Sequence, residues 1–133
     1  MNTEIYNEEE QRKRDVLLRR ELRSNLPERT QFPNVVASND EPSGMRTWVL
    51  YSTPIVRQLG DRISISHGRY YTRYTYSTIN KILGSLGYTG TAHRSKGNCV
   101  LKYDGREYTL GSEGDAGWRI VSPIEEVYDE AVF

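Results

Sequence analysis

A chain of 133 residues with 36% hydrophobic and 27% charged content is sized for one core with part of its length outside it, which excludes a comfortable two-domain arrangement. No apolar run approaches the roughly 20 residues of a membrane-spanning helix, and the acidic start from Met1 to Glu10 lacks the basic-then-apolar order of a signal peptide, so a cytoplasmic protein is expected, in a host cytoplasm or a virion if the source is viral. The 18 basic and 18 acidic residues cancel only in total: residues 1–43 carry 7 basic and 9 acidic, residues 44–106 carry 10 and 2, and residues 107–133 carry 1 and 7.

Residues 1–26 read as a helical arm. Glu8–Arg12, Glu9–Lys13 and Glu10–Arg14 are acid-before-base pairs at the favourable i,i+4 spacing, and no Gly or Pro interrupts the run to Leu26. The apolar stripe is short, with Leu18 and Leu22 at its centre. Such an arm docks on the core, on a second copy of the chain as a homodimer, or on another protein, or it stays solvated. Residues 27–45, with Pro27, Pro33, Pro42 and Gly44 around a polar run, have the chemistry of a linker.

The core is expected over residues 46–121. Thr47 to Ser52 is apolar on both faces and predicts a central strand; Pro54 and Gly60 bracket a connection; Arg62 to Ser66 alternates with Ile63 and Ile65 inward. The run Arg69-Tyr70-Tyr71-Thr72-Arg73-Tyr74-Thr75-Tyr76 holds four of the ten tyrosines, and its β-branched and aromatic content predicts another strand. Alternation then turns Tyr70, Thr72, Tyr74 and Tyr76 to the core, and leaves Arg69, Tyr71, Arg73 and Thr75 on the surface.

Ser77 or Thr78 next caps a helix whose Ile79, Ile82, Leu83 and Leu86 follow i, i+3, i+4 and i+7, and Gly87 stops it. Residues 88–98 read as a basic, flexible segment carrying Arg94 and Lys96. Cys99 to Tyr103 and Arg106 to Leu110, joined by Asp104-Gly105, predict a two-residue hairpin. A Gly-rich loop over 111–117, a short strand over 118–121 and an acidic tail over 122–133 complete the chain. These elements predict an α+β fold: a five- or six-stranded antiparallel sheet or partly open OB-like barrel with one packed helix, preceded by the arm.

The order strand, strand, strand, helix, strand, strand resembles that of the OB-fold, whose strand 2–3 face binds single-stranded nucleic acid. Residues 62–76 would present that face here. The tail from Glu125 to Phe133, acidic and ending on an aromatic, resembles the C-terminal tails of bacterial and phage single-stranded DNA-binding proteins, which compete for the basic groove and recruit partners. A third local likeness spans residues 79–110. The helix, Gly87-Tyr88, the basic Arg94-Ser95-Lys96-Gly97 and the hairpin are similar to HicA-type toxins, small ribonucleases built like double-stranded-RNA-binding domains. Asn98 and Cys99 stand where that family has its catalytic histidine, so the likeness implies RNA affinity without cleavage.

Other chemistry finds little footing. His67, His93 and Cys99 form no metal-ligand spacing, the single cysteine excludes an internal disulfide, and no nucleotide-loop or nucleophile-elbow motif occurs. No catalytic group, metal or cofactor is expected. The expected function is a non-catalytic nucleic-acid-binding module, in which Arg69, Arg73, Arg94 and Lys96 neutralise phosphates and Tyr71 stacks a base. The alternative is a protein–protein adaptor, a phage or virion component, or an inhibitor of a host factor, docking on an acidic protein surface or through Leu18, Leu22, Tyr128 and Phe133.

Overall fold

The computed structural model of the chain describes residues 27–129 together with Arg12. Apart from Arg12, the expected helical arm, with Leu18 and Leu22, lies outside these residues, as does Phe133. Alternating apolar residues and tight turns generate nine strands: β1 (Glu28–Arg29), β2 (Val35–Asp40), β3 (Met45–Leu50), β4 (Thr53–Leu59), β5 (Arg62–Ile65), β6 (Thr91–Ser95), β7 (Asn98–Tyr103), β8 (Arg106–Ser112) and β9 (Arg119–Ser122). They form a six-stranded antiparallel sheet in the order β1-β2-β3-β4-β5-β9 and a three-stranded sheet β6-β7-β8. The one described α-helix, α1 (Arg73–Ser85), connects them and packs against β6 and β4.

The sheets are not closed on one another, so the expectation of an OB-like barrel gives way to a six-stranded sheet and a separate meander, with a helix between. Several other expectations are corrected. Residues 27–45, read as a linker, form β1 and β2, and Val35 and Ala37 are buried in the core. Two of the three prolines of that span lie in its turns, where a missing N–H is harmless. The connection expected over 54–60 is strand β4; Pro54 is tolerated because it sits at a register shift opposite Trp48 and Val49, where the ladder is already interrupted. The flexible segment expected before Cys99 is β6, closed onto β7 by a Lys96-Gly97 turn in which both residues have positive φ.

The largest correction concerns residues 69–76, which form a loop and the first turn of α1 rather than a strand. Thr72 is the N-cap, its Oγ1 accepting the Thr75 N–H at 3.2 Å, so the helix starts before the expected Ser77 or Thr78. Its end is where the sequence puts it. Gly87 has φ 79°, the Tyr88 N–H donates to Leu83 O at 3.0 Å and the Gly87 N–H to Gly84 O at 3.1 Å, the paired bonds of a Schellman cap.

A single core joins the layers. Trp48, Leu50, Ile55 and Val56 from the large sheet, Tyr76, Ile79, Ile82 and Leu83 from α1, and Ala92, Cys99, Leu101 and Leu110 from the meander belong to one buried cluster. Truncating a fully buried member such as Ile82 to alanine costs about 2–5 kcal/mol, the usual sum of lost transfer energy and residual cavity. The C-terminal segment also leans on this body. Ile124 and Val127 pack against the cluster, Arg62 makes two hydrogen bonds of 3.0 Å to the Glu126 carboxylate, and Asp129 accepts the Thr109 N–H at 3.1 Å. No helix among the described residues is long and apolar enough to cross a membrane.

Candidate functional site

Between β5 and α1 the chain makes a compact turn. Ser66 Oγ donates to Ala116 O at 2.7 Å, and the Tyr70 N–H donates to His67 O at 2.8 Å. Gly68 and Arg69 both have positive φ, and a Cβ at Gly68 would collide with the Thr53 side chain, so only glycine fits there. His67 is buried at 4% exposure, and its Nδ1 accepts the Arg69 N–H at 3.1 Å, which puts the ring proton on Nε2. That Nε2 has no hydrogen-bond partner among the described residues.

The turn keeps Tyr76 inward as strand alternation would, but reverses Tyr70, Tyr71 and Tyr74. Tyr76 is buried at 4% exposure, and Tyr71 is half-buried with its Oη donating to Asn98 O at 2.8 Å. The two rings meet edge to face at 5.8 Å, and His67 packs edge-on to Tyr71 at 6.0 Å. Burial raises the Tyr76 phenol far above its ordinary range and also lifts the Cys99 thiol, so neither ionises near neutrality. Cys99 is close enough to couple to that phenol, but it lies outside hydrogen-bond geometry, and thiols are weak partners. Tyr70 and Tyr74, expected inward, are instead 58% and 45% exposed.

Arg73, at the first position of α1, has no acidic residue in the first helical turn to offset its unfavourable place at the positive end of the helix dipole. Helical spacing aligns Arg73, Ser77, Asn80 and Lys81, and β6 brings Ala92, His93 and Arg94 opposite. Together, with Tyr76 behind, they line an open groove of about 560 Å³ that holds three cations and no carboxylate. The Arg94 guanidinium lies 5.6 Å from the Tyr71 ring centroid and reaches the Tyr71 carbonyl at 3.4 Å. His93 is held neutral: burial, then the nearby Lys102 charge, pulls its pKa below the ordinary 6.5, and its Nε2 shares a 2.7 Å hydrogen bond with Thr91 Oγ1.

Six of the described cations outside the groove are engaged. Arg46, Arg62, Lys102 and Arg119 pair with Glu28, Glu126, Glu107 and Asp115, while Arg57 and Arg106 lie over Trp118 and Tyr108. Arg69, Arg73, Lys81, Arg94 and Lys96 have no carboxylate partner among the described residues. No Asp or Glu occurs between Arg62 and Asp104, so the whole span from β5 to β7 presents one sign of charge.

Of the expected site residues, the fold therefore brings Arg73 and Arg94 into one groove and adds Lys81. Arg69, in the loop, and Lys96, at the β6–β7 turn, are exposed but do not line it. Tyr71, expected to stack a base, is committed beneath Arg94 and against the other rings. Lys81 was legible as a solvent-facing helix residue; its alignment with Arg73 requires a helix that begins at Arg73. Tyr128 is 52% exposed beside Arg106, Tyr108, Ile124 and Val127. None of the described tail residues, 122–129, lines the cationic groove.

No cluster of three or more His, Cys, Asp or Glu residues suited to a metal ion occurs among the described residues. Comparison with protein families, with curated proteins and with solved structures finds no match to this chain.

Proposed function

We propose that the protein is a non-catalytic module that binds single-stranded nucleic acid along the groove between α1 and β6, in the cytoplasm of a cell or, for a viral source, of its host. The observation that carries this reading is the convergence of Arg73, Lys81 and Arg94 on one open groove without a carboxylate. Cations gathered without acids create a local positive potential that attracts anions, and a phosphodiester backbone supplies anions at a regular spacing. Single strands are favoured over duplexes because exposed Tyr70 and Tyr74 flank the same helix end, and only unpaired bases offer their faces to such rings.

The test is a fluorescence-anisotropy titration of the full chain with labelled single-stranded DNA and RNA oligonucleotides at low ionic strength. Binding that falls steeply with added salt, and that the double substitution Arg73→Glu with Arg94→Glu abolishes, supports the reading. Absence of affinity for every oligonucleotide at low salt ends it.

A second reading is an adaptor that docks a protein partner. The exposed Tyr128, beside Ile124, Val127, Arg106 and Tyr108 in an open groove of about 470 Å³, favours it. Glu126 and Asp129 are already engaged by Arg62 and Thr109, outside the cationic groove, which suits a tail that recruits partners better than one that shields the groove. A partner captured by the wild type, lost on Tyr128→Ala and kept on Arg73→Glu, would establish this role as separate from nucleic-acid binding.

A further inference from the structure

We infer that the cavity between the β3–β4 turn and the first turn of α1 is a subsite for one unpaired nucleobase, an inference that rests on the nucleic-acid reading above and names where the strand inserts a base. The cavity measures about 300 Å³, at the lower end of small-molecule sites, which run to about 300–1,000 Å³. Leu50 and Ile55 give it an apolar wall, and Tyr51, Tyr70 and Tyr74 line it as well. These tyrosines are 69%, 58% and 45% exposed, and they are three of the five large apolar side chains exposed among the described residues. Aromatic surface gathered in this way around one hollow marks a binding site rather than chance exposure.

The lining narrows the ligand. It contains no charged side chain, so neither a phosphate nor a carboxylate nor an ammonium group belongs inside. It contains aromatic faces and threonine hydroxyls beside the His67 ring, whose own Nε2 is buried. His67 also borders a void of about 10 Å³ shared with Tyr76, so its ring lies between the two spaces. A flat, neutral group with acceptors on its edge answers that chemistry, and a nucleobase has both properties.

Charge next to the cavity separates a nucleobase from the aromatic side chain of a protein. Arg69 precedes Tyr70 and Arg73 precedes Tyr74, so each of these ring positions has a cation as its chain neighbour. A base stacked in the cavity has its flanking phosphates outside, where such cations neutralise them. On the other side of the α1 first turn lies the groove of Arg73, Lys81 and Arg94. The helix between the two sites is only about 10–12 Å across with its side chains, a span that a few nucleotides cover.

The rim is also set before any ligand arrives. Asn34, with φ 63°, accepts the Tyr51 N–H on its carbonyl at 2.9 Å and donates from Nδ2 to Tyr74 Oη at 3.2 Å. The Tyr74 hydroxyl in turn reaches Pro33 O at 3.4 Å. One residue thereby holds the Tyr74 ring and the backbone that carries Tyr51, which lowers the ordering cost of binding.

The test uses the full chain and a single-stranded oligonucleotide with one 2-aminopurine, read by anisotropy for affinity and by base fluorescence for stacking. Tyr70 is the residue to change, because its side chain is exposed and makes no hydrogen bond among the described residues. The wild type should quench the base. Tyr70→Ala should weaken binding roughly 5- to 150-fold, the range for one lost base–aromatic stack, and relieve the quenching, while Tyr70→Phe retains both. If Tyr70→Ala leaves affinity and quenching unchanged while Arg73→Glu abolishes binding, the base subsite is wrong and the groove reading stands. If the wild type binds no oligonucleotide, both fall. If a tryptophan-bearing peptide saturates the cavity and the oligonucleotide cannot displace it, the occupant is a protein side chain and the inference is overturned.

Discussion

Asn80 and Ala92 are joined by two hydrogen bonds, Asn80 Nδ2 donating to the Ala92 carbonyl at 2.8 Å and the Ala92 N–H donating to Asn80 Oδ1 at 2.7 Å. In an antiparallel strand the N–H and C=O of one residue point to the same side, so the outer edge of β6 presents both groups of Ala92 together. The Asn80 amide answers them as a neighbouring strand would, which docks α1 on an edge that would otherwise invite another chain. The same pair floors the cationic groove.

Asn80→Ala should therefore destabilise the protein by about 1–3 kcal/mol, since it leaves the backbone of a 1%-exposed residue without partners. A urea midpoint equal to that of the wild type would show that the clamp is dispensable.

Thr72 separates folding from binding at the helix start. Thr72→Ala should cost about 1 kcal/mol through loss of the cap. Thr72→Asp should keep or raise stability, because aspartate caps well and complements the dipole, yet it should weaken oligonucleotide binding by placing an anion beside Arg73. Thermal melts and anisotropy on the two variants together check the pattern.

Lys81 is exposed and unpaired with any acid among the described residues, so Lys81→Gln should leave the melting temperature unchanged. Each phosphate neutralised on a single strand contributes about 0.7 to the slope of log affinity against log salt, and the variant should lose about that much of it. A slope identical to the wild type removes Lys81 from the interface.

His93 predicts a pH dependence of stability. Its folded pKa lies below the ordinary 6.5, because burial and then Lys102 oppose protonation more than Glu107 favours it. Below 6.5 the unfolded chain takes up a proton that the folded chain resists, so this residue's contribution to stability is intact above that pH and is lost as pH falls toward and through the folded value. Urea midpoints measured above and well below 6.5 should converge for His93→Gln relative to the wild type. An unchanged difference assigns the dependence to other groups.

Asn34→Gly keeps the left-handed backbone that Asn34 adopts at φ 63° but removes the bond to Tyr74. Stability should change little, whereas affinity for a single strand should fall as the rim loosens. Equal affinity would mean that Tyr74 needs no anchor.

Much of the fold was legible in the sequence because it follows local rules. Trp48 and its neighbours, Ile63 with Ile65, the Asp104-Gly105 hairpin and the Gly87 stop depend on side-chain period or on turn residues that tolerate positive φ, and each appears where expected. The Arg69–Tyr76 stretch does not follow such rules. Its composition favours a strand, yet Thr72 caps a helix there, because helical spacing buries Thr75, Tyr76, Ile79 and Ile82 between the two sheets.

That change of period decides the site. Alternation would bury Tyr70 and Tyr74 and expose Tyr71; the loop and helix half-bury Tyr71 against the buried Tyr76 and expose the other two. Arg73 and Lys81 share a face only once the helix begins at Arg73, and they meet Arg94 only because β6 lies alongside. The sequence by itself determined the local turns, the apolar stripes and the basic character of the middle of the chain. The tertiary structure decided which way each ring and cation points, since that direction depends on contacts remote in sequence: Asn34 with Tyr74, Tyr71 with Asn98, and Asn80 with Ala92.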